Sequence, residues 1–95
     1  MTKIQSPTPL VKLTLQIGAD DTYTSTGKTI LEAINNLPIP NSIKAKGYIK
    51  AKIDGKTAIK HFTIPTLRRL FCVSGNIRNY TRTVASKHLN LFLKN

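Results

Sequence analysis

Ile43-Lys44-Ala45-Lys46-Gly47-Tyr48-Ile49-Lys50-Ala51-Lys52-Ile53, followed at once by Asp54-Gly55, is the stretch on which the fold turns. The odd positions, Ile43, Ala45, Gly47, Ile49, Ala51 and Ile53, are small or apolar, whereas Lys44, Lys46, Lys50 and Lys52 form a ladder around Tyr48. Alternation with period two predicts a strand with one buried and one solvated face. Asp54-Gly55 then predicts a two-residue hairpin, because both residues tolerate the positive φ that a type I′ turn demands. That turn pairs Ile53 with Lys56, Ile49 with Lys60 and Gly47 with Phe62. It puts Phe62 and Ile64 on the buried face and His61 beside Tyr48 outside. A three-residue turn with a bulge would instead oppose Ile49 and Ile59, and a one-residue slip would exchange the faces of the second strand. The two-residue turn buries the larger side chains and is the register expected.

Outward from this hairpin, the pattern changes period. Val11, Leu13, Leu15 and Ile17 alternate with Lys12, Thr14 and Gln16, which predicts a half-buried strand. Gly18-Ala19-Asp20-Asp21 turns the chain, and Thr22–Thr26 has the β propensity of a short edge strand. Thr29-Ile30-Leu31-Glu32 reads as a capping box, with Ile30, Ala33, Ile34 and Leu37 inward, and Pro38 and Pro40 end that helix. Pro65 at an N1 position starts a second helix, with Leu67, Leu70 and Phe71 inward and Arg68 and Arg69 outward. Ser74-Gly75-Asn76 breaks it. Ile77, Tyr80, Val84 and Ala85 then recur at helical spacing, with Arg78 and Arg82 on the other side. Residues 89–93 fit either the end of that helix or a last strand.

These elements predict an α+β fold: a small single domain, order ββαββα(α)β, with an antiparallel sheet built around the central Asp54-Gly55 hairpin. The opening hairpin, helix and second hairpin are β-grasp-like. If residues 22–26 were loop, the order would become βαββαβ, which is split ferredoxin-like. Residues 1–9, with Ser6, Pro7, Thr8 and Pro9, read as a flexible N-terminal segment, and residues 10–95 as one basic domain. No segment has the composition of a signal peptide or the roughly 18–20 apolar residues of a membrane span. The expected location is therefore cytoplasmic, or a particle assembled there. Cys72 is the only cysteine, so no intrachain disulfide can form, and its apolar neighbours Leu70, Phe71 and Val73 predict a buried thiol.

The charge is unevenly spread. Residues 1–43 carry Lys3, Lys12 and Lys28 against Asp20, Asp21 and Glu32, whereas residues 44–95 carry twelve Lys or Arg against Asp54 alone. The whole net charge of +11 therefore lies in the second half. Abundant Ile, Lys, Asn and Thr suggest AT-rich coding, but such a bias would act on both halves. Like-charge repulsion costs stability, and the usual compensation is a polyanionic partner.

Three familiar chemistries are excluded. Ser25-Thr26-Gly27-Lys28-Thr29 ends like a phosphate-binding loop, but its first glycine would have to be Thr22, so a turn and helix cap explain it better. Lys46-Gly47-Tyr48 opens like the RNP1 signature of RNA-recognition motifs, then departs from it at Ile49, Lys50 and Ile53. The few carboxylates serve turns and caps, and His61, His88 and Cys72 make a poor metal set, so no enzyme, cofactor or metal site is expected.

Nucleic acid, DNA or RNA, is the partner expected, held chiefly through its backbone. Lys44, Lys46, Lys50 and Lys52 would neutralise phosphates, Tyr48 and His61 would stack or hydrogen-bond, and Arg68, Arg69, Arg78 and Arg82 would widen the footprint. About six phosphate contacts would cost roughly a thousandfold in affinity between 50 and 200 mM salt. The alternatives are a structural or assembly subunit of an ordered particle such as a virion, in which the chain is a homo-oligomer, and, less favoured, binding to an acidic protein.

Overall fold

The computed structural model describes residues 10–72 and 75–94. Its elements run β1 (Val11–Ile17), β2 (Asp21–Gly27), α1 (Ile30–Asn36), β3 (Gly47–Ile53), β4 (Lys56–Phe62), α2 (Ile64–Phe71) and α3 (Asn76–Lys94). The four strands form one antiparallel sheet in the order β2-β1-β3-β4. The chain is thus an α+β domain of order ββαββαα. Residues 21–27 are a strand, so the βαββαβ plan does not form, and residues 89–93 complete α3 instead of adding a strand. The N-terminal segment 1–9 and the Val73–Ser74 part of the α2–α3 break lie outside the described residues.

The β3–β4 turn is the two-residue form. Asp54 and Gly55 have φ of 51° and 79°, and Ile53 faces Lys56, Ile49 faces Lys60 and Gly47 faces Phe62. Ile64 departs from its expected place in this strand and opens α2, one residue ahead of Pro65. The expected strand is also shorter at its start. Gly47 pairs with Ile17 on one side and Phe62 on the other, and each is the last residue of its strand. Residues 43–46 have no further ladder to join, although the Gly18 amide still donates to the Lys46 carbonyl at 3.1 Å. Gly47 itself lies against β1, where a Cβ would run into the Gln16 carbonyl oxygen.

Alternation along every strand separates two faces. Val11, Leu13, Leu15, Ile17, Ile49, Ala51, Ala58 and Phe62 point to one side and are buried there. Ile30, Ala33, Ile34 and Leu37 from the α1 region, Leu67, Leu70 and Phe71 of α2, and Ala85, Leu89 and Leu93 of α3 complete that core. Helix α1 is capped much as its sequence suggests. Thr29 Oγ1 accepts from the Glu32 amide at 3.1 Å, while Glu32 Oε1 accepts from the Lys28 amide at 2.8 Å, one residue before the cap itself. No helix among the described residues is long and apolar enough to cross a membrane.

Helix α3 is rotated from the expected setting. Its buried positions are Arg82, Ala85, Ser86, Leu89 and Leu93, whereas Ile77 and Tyr80 are exposed, Tyr80 by 72%. Leu89 and Leu93 decide the rotation: both are apolar and four residues apart, so the residues stacked one and two turns before them must also face the core. Cys72 follows the last residue of α2 and is exposed, against the buried thiol expected. Its apolar neighbours Leu70 and Phe71 turn inward, but the helix ends before Cys72 can follow them.

Filling the contact at Gly47 should be costly. Gly47→Ala is expected to lower stability by about 1–3 kcal/mol through overpacking. Thr57→Ala, on the opposite face of the same hairpin, should stay within about 0.5 kcal/mol. Urea midpoints compare the two.

Candidate nucleic-acid interface

The sheet face opposite the core carries none of the three helices. Its side chains form three cross-strand rows, fixed by the register. Thr26, Lys12, Lys52 and Thr57 make the first; Thr24, Thr14, Lys50 and Ile59 the second; Thr22, Gln16, Tyr48 and His61 the third. These twelve positions hold three lysines, five threonines and no carboxylate. Lys12 and Lys52 are direct cross-strand partners. Like charges placed so are repulsive, by up to about 1 kcal/mol.

Tyr48 and His61 close one end of this face. Their ring centroids are 5.4 Å apart and their planes are tilted by 50°. With Gln16, Gly18, Lys46 and Thr63 they border a shallow cleft of about 700 Å³. The rim is held in place: Gln16 Nε2 donates to the Gly18 carbonyl at 3.1 Å, and Thr22 Oγ1 donates to Gln16 Oε1 at 2.5 Å. An aromatic pair beside a lysine, on an acid-free surface, can accept a planar base and an adjoining phosphate.

The ten residues expected from sequence divide into three groups. Tyr48, Lys50, Lys52 and His61 share the open face, and Lys46 stands at its edge on the cleft. Lys44 is separated from them. It lies before β3 and borders a different hollow, shared with Asp20 and Asp21, so the ladder does not run unbroken from residue 44. None of the four arginines lies on the open face of the sheet. Arg68 and Arg69 are both exposed, and Arg68 also uses its Nε to bond the Ile43 carbonyl at 3.1 Å, pinning the loop before β3. Arg78 is half-buried, and its Nε lacks a hydrogen-bond partner among the described residues.

Arg82 is the clear correction. Expected to face outward, it is only 7% exposed. Its Nε donates to the Leu70 carbonyl at 3.1 Å and its Nη1 to Asn35 Oδ1 at 2.7 Å, with the guanidinium 5.8 Å from the centre of the Phe71 ring. Burial, and then the nearby charge of Arg78, lower its pKa from the usual arginine value. Arg82 therefore ties α3 to α2 and to the residue at the end of α1, and it is not offered to a ligand.

Sequence reasoning missed Lys12. The alternation of β1 already put it on the polar side, but only the pairing of β1 with β3 brings it against Lys52. Among the described residues no three His, Cys, Asp or Glu side chains gather as metal ligands. No protein-family model matches the chain, and comparisons with curated proteins and with solved structures find no match.

The two classes of arginine should respond differently to truncation. Arg82→Ala leaves the Leu70 carbonyl without its buried partner, frees Asn35 Oδ1 and opens a cavity, at a cost of about 2–4 kcal/mol. Arg69→Ala should stay within about 0.5 kcal/mol. Chemical denaturation of both variants reads the difference.

Proposed function

We propose that this chain is a small non-enzymatic domain that binds nucleic acid through the open face of its sheet. The observation that carries this reading is the pairing of Lys12 with Lys52, next to Lys50, on a surface without a carboxylate. Such a face is neutralised from outside the fold. A phosphate backbone suits it, because alternate residues of a strand stand about 6.6–6.8 Å apart and present charge in a line. Lys12, Lys46, Lys50 and Lys52 are the phosphate contacts; Tyr48 and His61 supply the stacking surface. Binding of this kind is mainly electrostatic and weakly dependent on base sequence.

Lys44 and the four arginines drop out of the footprint and Lys12 joins it, which leaves four phosphate contacts in place of about six. A plot of log Kd against log salt should then have a slope of about 3–4, which is roughly a hundredfold loss of affinity between 50 and 200 mM. Reversal of charge at Lys12 and Lys50 should flatten that slope while the urea midpoint holds or rises. Binding that ignores salt would discard the reading.

A second reading, an assembly subunit, is favoured by one feature: Ile77, Tyr80 and Leu91 are exposed on the side of α3 turned away from the core. A second copy of the chain seated there would cover them. Light scattering after size exclusion tests this, and a species of 10.5 kDa at all concentrations would exclude it.

A further inference from the structure

The strand state of the ligand follows from how the cations and the aromatic pair are presented. This inference rests on the nucleic-acid reading above. We infer that the open face takes single-stranded nucleic acid, with one unstacked base seated at the Tyr48–His61 corner and its backbone running over Lys50 towards Lys52 and Lys12.

Three observations point the same way. First, Tyr48 and His61 are cross-strand partners whose ring planes are tilted by 50°, so they form a splayed corner. A base lying on Tyr48 would meet His61 at its edge. The cleft continues past Tyr48 to Lys46, which places a cation on the other side of the seated base. Bases inside a duplex are stacked on each other and cannot enter such a corner, whereas those of a single strand can.

Second, nothing on the cationic side projects far enough to read a groove. The β3–β4 turn is only two residues long, and its tip carries Asp54, an exposed acid that phosphates on either side of a groove would repel. The rest of the face is the flat surface of a sheet.

Third, the helices do not offer the alternative. Entry into a major groove needs a helix with a polar or basic outward face. The outward side of α3 carries Ile77, Tyr80 and Leu91 among the exposed Asn76, Asn79, Lys87, His88 and Asn90, so Lys87 is an isolated cation there, while Arg82 points into the core. On α2, Arg68 is engaged with the Ile43 carbonyl, which leaves the exposed Arg69 as the cation that helix presents. Exposed cations stand singly on α2 and α3, whereas Lys12, Lys50 and Lys52 gather on the open face of the sheet, which also carries the only paired aromatic surface among the described residues.

Fluorescence anisotropy with short labelled oligothymidylate and oligouridylate, and with a duplex of equal length, tests the inference at matched salt. Either single strand should bind at least about tenfold more tightly than the duplex, since only it gains the stacking contribution. Tyr48→Ala should weaken single-strand binding roughly five- to hundredfold, and Tyr48→Phe should restore it to within about twofold. The salt slope should be the same for Tyr48→Ala as for the parent, because no charge is lost, and should fall for Lys50→Glu. On an oligonucleotide made of abasic sugar-phosphate units, the parent protein should bind as weakly as Tyr48→Ala does. This last comparison needs no variant and so does not depend on one folding. Equal affinity for duplex and single strand, or abasic and thymidylate strands bound alike, would overturn the inference and leave the phosphate-binding reading standing. Failure to bind any of these probes at low salt would instead overturn the proposed function.

Discussion

Two successive residues with left-handed backbone, Asp54 and Gly55, set the register on which the rest of the domain depends. Side chains in a strand alternate with period two, so the turn decides at one stroke which members of β3 and β4 meet the helices. With this turn, Ala58 and Phe62 join Ile49 and Ala51 in the core, and His61 comes to lie beside Tyr48. Strand β1 then docks on the free side of β3 with its own alternation in phase. The three rows of the open face are a by-product of that phase relation. No side chain on them had to be placed individually.

The cations of this molecule stand in two settings, one inside the fold and one on the open face of the sheet. The cation within the fold, Arg82, is satisfied by a carbonyl and an amide oxygen and rests beside an aromatic ring. Such a group stabilises only while all its partners are present, because an unpaired acceptor in the interior costs more than the bond itself gains. The lysines of the sheet have no comparable arrangement. They keep their hydration and repel one another, a modest burden in water. The contrast explains why arginine stands at the first place and lysine at the second. A planar guanidinium can hold two fixed acceptors at once, whereas an ammonium on a flexible stem keeps its rotational freedom in water.

Much of this was legible from the chain alone, and the exceptions have definite causes. The hairpin, its register, the half-buried first strand, the capping by Thr29 and the inward side of α2 each follow from local chemistry. Lys44 misled because alternation of residue types continues past Gly47, whereas a strand persists only while it has neighbours to bond. Both neighbours end at that point. Arg82 misled because the helix was oriented by Ile77 and Tyr80, the apolar residues nearest its start, while residues 89–93 were undecided between helix and strand. Once Leu89 and Leu93 are helical, Ser86 and Arg82 must stack beneath them, polar or not. Lys12 was hidden by a different limit. Which strand lies beside which is a property of the sheet order, and no residue of β1 announces that β3 will be its neighbour.

Interleaving the core and the open face in the same strands has an evolutionary consequence. The outward letters can be exchanged one for another with little effect on folding, so the chemistry of this surface is free to drift by point substitution. Change in length is another matter: deleting a single residue within β3 would carry Ile49 into water and drive Lys50 beneath the helices. Descendants of this domain are therefore expected to differ in spelling along the sheet and to keep its spacing, confining insertions to the stretch between Pro38 and Ser42 or to the chain ends.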